Sequence, residues 1–314
     1  MRQDLDLRYW QLRFGEYIEI VRGWSASTRR IYAAELRPFF AYLERQGITQ
    51  LGRLTRAHLE GYRLQLFEST FRGKPLSKGT QQTRLCSVKQ FVRFLYRENY
   101  LLLDIADGFE LPKRGDSLPR LVLSEREALK LMKSPDVTTH QGIRDRAMLE
   151  ILYGTAIRNA EIRLLTVDQV DREQGYLRID HAKGEKARVV PLGEEALAWL
   201  EEYLDRVRPL CVRRADQKYL FLSSQTGEIM HRGWLVIMVS RYALQAGLKK
   251  RVTPHVLRHS CATHMLRHGA NVRHLQALLG HSSCETTQRY TRVELSDLAL
   301  VVKRCHPRER ADSE

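Results

Sequence analysis

Residues 253–290 read T-P-H-V-L-R-H-S-C-A-T-H-M-L-R-H-G-A-N-V-R-H-L-Q-A-L-L-G-H-S-S-C-E-T-T-Q-R-Y, and the rest of the chain is organised around them. Thr253 is a typical N-cap and Pro254 suits a first helical position, so a helix is predicted to begin here. His255 and Arg258 then lie three residues apart on one face, where they can share a ligand. Apolar residues on nearly every side predict a helix inside a core, namely Val256, Leu257, Cys261, Met265 and Leu266. A buried arginine needs an anion, and a guanidinium suits a phosphate as well as a carboxylate.

The following segment predicts the second half of a site. Asn271 can cap a helix that ends at Gly280, a typical left-handed stop, and Ser282 can open another helix. His281 then stands at a helix start, where backbone N–H groups and the helix dipole favour an anion. Tyr290 lies about two helical turns further on and can reach that anion.

These motifs together resemble a known family. H-x-x-R followed by L-L-G-H and T-T-x-x-Y resembles the tyrosine recombinases, or phage integrases. L-R-H-S-C-A-T-H-M-L and G-H-S-S-x-x-T-T-Q-R-Y-T look most like their Xer-type branch. The resemblance implies that His255, Arg258 and His281 are catalytic and that Tyr290 is the nucleophile. It also implies a mainly helical fold with a small β-sheet, in which a helical, SAM-like core-binding bundle precedes an α/β catalytic domain.

Two further catalytic positions follow from the resemblance. Arg158, in G-T-A-I-R-N-A-E, matches the family's first catalytic arginine, and Glu161 can hold it from i+3. Ala156 stands where the family usually has glycine. Alternating segments at 176–180 and 187–191 predict a β-hairpin, and K-G-x-K-x-R-x-V-P-L places Lys183 at the family's general acid. Lys186, near the same turn, is the alternative.

Charge predicts a polyanionic partner. The chain has 314 residues and a net charge of +15, and residues 229–284 contain no Asp or Glu, which indicates a phosphate-facing region. No carboxylate cluster accompanies the motifs, so neither a metal nor another cofactor is expected.

The five cysteines of the chain are scattered without a C-x-x-C pair, and the start of the chain is too charged for a signal peptide. A cytoplasmic, nucleoid-associated protein without a membrane segment is therefore expected.

Helical periodicity predicts four helices in residues 1–107, approximately at 8–21, 27–46, 55–68 and 77–98. They resemble the family's core-binding domain, and by that resemblance Thr80, Arg84 and Lys89 are DNA-contact candidates, although a solvated helix surface fits them equally well. Prolines, glycines and charges mark a basic linker at 108–120. A catalytic domain is expected at 121–292. The tail at 293–314 is predicted to form an amphipathic helix. The resemblance implies that this helix docks on a neighbouring protomer, and docking on its own domain is the alternative.

The resemblance implies cleavage and rejoining of DNA strands through a 3′-phosphotyrosine, without metal or ATP. The expected partners are double-stranded DNA with inverted half-sites and, on paired sites, a homotetramer or a heterotetramer with a paralogous recombinase. Off DNA, a monomer or dimer is expected. Xer-like dimer resolution and mobile-element integration or excision both fit. A type IB topoisomerase-like relaxase and an inactive DNA-binding regulator of the same fold are the alternatives.

Overall fold

The computed structural model describes residues 7–112, 121–180, 187–280 and 292–309, with the side chains of 292–296 excepted. The chain separates into two compact units, Met1–Leu118 and Pro119–Glu314. The boundary between them falls inside the linker predicted from sequence.

The N-terminal unit is a helical bundle built around aromatic side chains. Its helices are α1 (Leu7–Glu16), α2 (Ala26–Arg45), α3 (Arg56–Glu68) and α4 (Lys78–Arg97), and α1 continues into a π-helical turn, Tyr17–Val21. A short hairpin, β1 (Thr70–Phe71) and β2 (Lys74–Pro75), joins α3 to α4. Ser25 and Ser77 cap α2 and α4 through their side chains. The core contains six aromatic residues that are at most 2% exposed: Phe14, Phe39, Tyr62, Phe91, Phe94 and Phe109.

The C-terminal unit surrounds a three-stranded antiparallel sheet with helices. Before the sheet come α5 (Glu125–Met132), α6 (His140–Thr155) and α7 (Asn159–Leu164). The strands are β3 (Val170–Asp171), β4 (Tyr176–Ile179) and β5 (Arg188–Pro191), in the order β3-β4-β5. After the sheet come α8 (Glu194–Glu202), which continues as a π-helical segment to Val207, α9 (Arg208–Cys211), α10 (Trp234–Gln245), α11 (Pro254–Arg267), α12 (Val272–Leu279) and α13 (Arg292–Cys305). The helical bundle, and the second unit of helices around a small sheet, confirm the predicted fold class, which is mainly helical with a small β-sheet.

Helix α6 is the centre of this unit, because every residue from Gly142 to Thr155 is buried. It packs against α8 and α11. Its Tyr153 hydroxyl lies 2.8 Å from Nδ1 of His264 on α11, whose Nε2 lies 2.7 Å from the Leu123 carbonyl oxygen. Since a carbonyl only accepts, Nε2 donates to Leu123 and Nδ1 accepts from the tyrosine. This chain of bonds fixes the rotation of α11 relative to α6.

The tail occupies a position on its own domain. α13 packs against β5, α11 and α12, and Leu298 and Val302 are each 3% exposed. Beyond it, Arg308 donates to both carboxylate oxygens of Glu150 at 3.0 and 2.9 Å. Burial lowers the pKa of His306 to about 4. Of the two positions considered from sequence, the structure therefore contains the one in cis, and exchange between protomers stays a prediction.

Candidate active site

Arg258 lies in the first turns of α11, as the sequence predicts. Thr253 caps this helix by accepting from the Val256 amide. Arg258 is only 8% exposed, and its guanidinium donates to the Ala156 carbonyl and, at 2.7 Å, to the Leu279 carbonyl. Carbonyl oxygens at two helix ends thus provide partners for a buried charge that was expected to need an anion. These contacts hold the guanidinium in one orientation.

The first turn of α11 also carries His255, whose side chain is exposed. A helix places residues i and i+3 on one face. The same face of α11 therefore presents an exposed imidazole at its start and a fixed guanidinium one turn later. Leu266, predicted to be in the core, is 46% exposed, so α11 is less completely enclosed than its sequence indicates.

Arg158 is the N-cap residue of α7 and is held from two sides. Its Nη1 donates to Oε1 of Glu161 at 2.9 Å, and its Nη2 donates to the Gly280 carbonyl at 2.9 Å. The side chain is 34% exposed, so part of the guanidinium reaches the surface while these bonds orient it. The Arg158–Glu161 pair predicted from i,i+3 spacing is therefore present.

Arg188 forms an arginine cluster with Arg158 and Arg258, although the sequence motifs assigned no role to it. It donates from Nη1 and Nη2 to the two carboxylate oxygens of Glu161, at 3.0 and 2.8 Å, and from Nε to the Leu278 carbonyl at 3.2 Å. Both side chains of the pair are 3% exposed. The signal was strand alternation, because Arg188 is two residues from buried Val190 and so shares its core-facing side.

Glu161 is the acceptor that joins the two arginines. Burial alone would raise its pKa, but hydrogen bonds from Arg188 and from Arg158, together with the positive charge of Arg188, outweigh burial and lower the pKa to about 2. The Arg158 backbone amide also donates to its Oε2 at 2.8 Å. Glu161 is therefore an ionised carboxylate throughout the neutral range.

The C-terminus of α12 is where the three arginines converge. Arg188, Arg258 and Arg158 donate to three successive carbonyl oxygens, those of Leu278, Leu279 and Gly280 respectively. The last carbonyls of a helix lack partners within the helix and carry the negative end of its dipole. Cations placed there both satisfy these oxygens and interact favourably with the dipole.

The ends of α12 match their sequence signals. Asn271 accepts from the Arg273 amide at 2.8 Å as N-cap, and Gly280 has φ 63° at the left-handed stop. The segment containing His281 and Tyr290 continues directly from this stop.

Ala156 lies in a backbone conformation that favours glycine. It ends α6 with φ 51° and ψ 27°, in the left-handed region, and its side chain is fully buried. A β-carbon costs roughly 1–2 kcal/mol in this region, so the alanine carries strain. The Ala156 carbonyl nevertheless accepts from Arg258, and the strained turn thus directs an oxygen at the cluster.

Four of the predicted catalytic positions lie outside the described residues: Lys183, its alternative Lys186, His281 and Tyr290. The two segments that contain them border the arginine cluster in sequence. The hairpin segment 181–186 precedes β5, which begins at Arg188, and the segment 281–291 follows Gly280. The structure thus brings together Arg158, Glu161 and Arg258, with Arg188 added.

The three DNA-contact candidates of the N-terminal unit all have partners within it. Lys89 donates to the Phe109 carbonyl at 2.7 Å, Arg84 lies 3.4 Å from a carboxylate oxygen of Glu35, and Thr80 shares a hydrogen bond with Ser77. Lys89 thus holds the first residues of the predicted linker. DNA contact by these residues stays a prediction.

The described ranges contain neither a candidate metal site nor a candidate membrane span. No group of three or more His, Cys, Asp or Glu side chains there could hold a metal ion. No helix in that part of the chain is long and apolar enough to cross a membrane.

Two family models cover most of the chain. Residues 122–296 match the phage integrase family, and residues 12–99 match the phage integrase N-terminal SAM-like domain. A tyrosine recombinase XerC 2 of Ralstonia nicotianae is 40% identical over 96% of this chain and 86% of its own length. A tyrosine recombinase XerD of Staphylococcus epidermidis is 35% identical over 93% of this chain and 96% of its own.

Among solved structures, a lambda integrase tetramer bound to a Holliday junction has a similar fold. It superimposes with a TM-score of 0.63 over 90% of this chain and 80% of that one, at 18% sequence identity. The relatives that are named Xer tyrosine recombinases show a site-specific tyrosine recombinase and do not favour a relaxase or an inactive regulator. The chain belongs to the phage integrase family.

Proposed function

We propose that this enzyme cleaves and rejoins DNA by attack of Tyr290 on a backbone phosphate, which gives a 3′-phosphotyrosine and a free 5′-hydroxyl. The intermediate conserves the bond energy, so the 5′-hydroxyl of another strand can reverse the step without ATP. The observation that carries the proposal is the convergence of Arg158 and Arg258 at the end of α12, directly before the segment that contains Tyr290.

The two arginines would bind the non-bridging oxygens of the phosphate. Arg258 is fixed by two carbonyl oxygens, and Arg158 by Glu161 and the Gly280 carbonyl. Donors oriented in advance stabilise charge that develops in the transition state without reorganising during the reaction. A phenol has a pKa of about 10, and nearby cations lower the free-energy cost of removing its proton.

The remaining roles concern protons. The 5′-oxygen is a poor leaving group unless it is protonated, and we assign Lys183 as its general acid, with Lys186 as the alternative. His255, exposed at the start of α11, and His281 would assist by hydrogen bonding to the phosphate and by moving protons. No metal or cofactor has a role in this scheme.

The substrate we propose is double-stranded DNA with short inverted half-sites, bound by both domains in the cytoplasm at the nucleoid. The net charge of +15 and the acid-free stretch at 229–284 support a polyanionic partner. A lambda integrase of the same fold forms a tetramer on a Holliday junction, which supports assembly of four protomers, identical or paralogous, on paired sites. Exchange of α13 between protomers would require it to leave its position on β5, α11 and α12.

The test begins with the DNA site, which sequencing of DNA cross-linked to Tyr290→Phe in the host identifies. A nicked duplex of that site should trap wild-type protein as an adduct that resists denaturant, forms in excess chelator and requires no ATP. Tyr290→Phe should bind the duplex and trap nothing. An adduct formed by Tyr290→Phe would contradict the assigned nucleophile, and a requirement for magnesium would contradict the metal-free scheme.

A second substrate separates the two lysines. A 5′-bridging phosphorothiolate has a leaving group that scarcely needs protonation, so it should restore cleavage to a variant lacking the general acid. Restored cleavage by Lys183→Ala is expected. If only Lys186→Ala is restored, the role belongs to Lys186.

A further inference from the structure

Arg188 is a buried charge that the proposed reaction does not use. It is 3% exposed on β5, where its guanidinium donates to both oxygens of Glu161 and to the Leu278 carbonyl. These partners lie 27 and 90 residues away in sequence and on two different helices. Arg188 therefore connects strand β5 with α7 and with the end of α12.

Stability alone does not account for this pair. Removing two charges from water costs about as much as their attraction returns, and apolar replacements of buried ion pairs are often neutral or stabilising. A buried, doubly hydrogen-bonded pair does, however, define the position of each partner. What the pair defines here is the carboxylate of Glu161, which accepts from Arg158 through the same Oε1 that Arg188 contacts.

The geometry also explains why one contact would be insufficient. Without Arg188, the carboxylate would keep one fixed bond, from the Arg158 backbone amide to Oε2, and its Oε1 would be held only by the Arg158 side chain, which is 34% exposed. Arg188 holds both carboxylate oxygens from the buried side, so Oε1 is a fixed acceptor for Nη1 of Arg158. Its third bond, to Leu278, keeps the α12 terminus in register with Glu161, and Arg158 contacts that terminus at Gly280.

We infer that Arg188 is a positioning residue for the recombination reaction. It aligns Arg158 on the scissile phosphate through Glu161 and the end of α12. This inference rests on the proposed function. A purely structural role predicts that the loss of Arg188 slows cleavage of every substrate alike. The positioning role predicts instead that the effect depends on the charge of the non-bridging phosphate oxygens. A lysine at position 188 can replace the arginine only in part, because its ammonium keeps the positive charge but cannot reproduce the planar, bidentate bonding of a guanidinium.

The variant is therefore Arg188→Lys, which keeps the buried charge balanced while removing the fork. Arg178→Lys is the matched control, because Arg178 lies on the neighbouring strand β4 and pairs with Asp168 and Asp180 while 52% exposed. Both variants are measured in the full chain for melting temperature, for binding of the nicked duplex and for the rate of adduct formation.

Three substrates are compared: the native phosphate, a methylphosphonate that lacks one non-bridging charge, and the 5′-bridging phosphorothiolate. Arg188→Lys is expected to fold, to bind the duplex and to cleave the native phosphate about 100-fold more slowly, the size of effect that a misplacement of about 1 Å produces. On the methylphosphonate its deficit relative to wild type should shrink about tenfold, as should that of Arg158→Ala, because less charge requires stabilisation. The phosphorothiolate should leave the deficit unchanged, and Arg178→Lys should match wild type throughout.

A double-mutant cycle tests the route through Glu161. In a Glu161→Gln background, Arg188→Lys should slow cleavage far less than the about 100-fold expected in wild type, because the carboxylate is already absent and only the bond of Arg188 to Leu278 remains to be lost. If Arg188→Lys fails to fold, Arg188→Gln with Glu161→Gln leaves no unpaired buried charge and is compared with Glu161→Gln alone in the same way.

Three results with the single variant would overturn the inference: wild-type rates from a folded Arg188→Lys, an equal deficit on all three substrates, or a deficit that only the phosphorothiolate removes. The last result would assign Arg188 to the leaving-group lysine. Additive losses in the cycle would also overturn it. If wild type itself forms no adduct on any substrate, the proposed function fails, and that outcome is recognised before any variant is compared.

Discussion

Replacing Glu161 by glutamine should change how the stability of the catalytic domain depends on pH. Glu161 is 5% exposed, and hydrogen bonds from Arg188 and Arg158 outweigh burial to lower its pKa from 4.5 to about 2. A carboxylate with a depressed pKa in the folded state stabilises the fold above its unfolded pKa. That contribution is lost as pH falls from about 4.5 towards 2.

The size follows from the pKa difference. A pKa difference of one unit between the folded and unfolded states corresponds to about 1.4 kcal/mol of stability. A pKa lowered from 4.5 to about 2 therefore gives ionised Glu161 a pH-dependent contribution of about 3 kcal/mol to the free energy of unfolding. Glutamine has the same shape and does not titrate, so Glu161→Gln should be less stable than wild type at pH 6, and the gap should close by about 3 kcal/mol at pH 2.

The assay is urea unfolding of the full chain from pH 6 to pH 2, followed by tryptophan fluorescence and helical ellipticity. Because the chain contains two compact units, the curves are fitted to two transitions. Every other titrating group is the same in wild type and in Glu161→Gln, so the difference between their stabilities depends on Glu161 alone. A gap that stays constant to within about 0.5 kcal/mol from pH 6 to pH 2 would refute the ion-pair reasoning, since additive, non-titrating effects remain within that range.

Two further predictions concern backbone strain and the tail. Ala156→Gly should raise the free energy of unfolding by about 0.5 kcal/mol, because relief of the left-handed β-carbon exceeds the added chain entropy, whereas Ala147→Gly inside the same helix should lower it by about 1 kcal/mol. Thermal unfolding measures both, and destabilisation by each alike would contradict the strain at Ala156. Leu298→Ala should destabilise the domain by about 2–3 kcal/mol if α13 docks in cis, while Leu300→Ala, at a 46% exposed position of α13, should cost under about 0.5 kcal/mol. Equal stability of the two leucine variants in the monomer would place the helix elsewhere.

Local signals in the sequence predicted most helices closely. The predicted helix at 27–46 is Ala26–Arg45, and that at 77–98 is Lys78–Arg97, because serine caps and apolar periodicity act within a few residues. Short elements escaped prediction, among them α7, α9 and the β1–β2 hairpin, since two to six residues contain too little periodicity. The π-helical turns after α1 and α8 likewise have no sequence signal, and the helix predicted at 8–21 changes geometry at Tyr17.

The sequence by itself determined the family, the two-domain helical fold and the positions of Arg158, Glu161 and Arg258, because motif spacing and helix caps are properties of neighbouring residues. Tertiary structure alone decided what those residues touch. The bonds from Arg158 to Gly280, from Arg188 to Leu278 and from Arg258 to Ala156 span 122, 90 and 102 residues. Such contacts depend on how α7, β5 and α11 pack around the end of α12, and that packing is set by the whole buried core rather than by any local pattern.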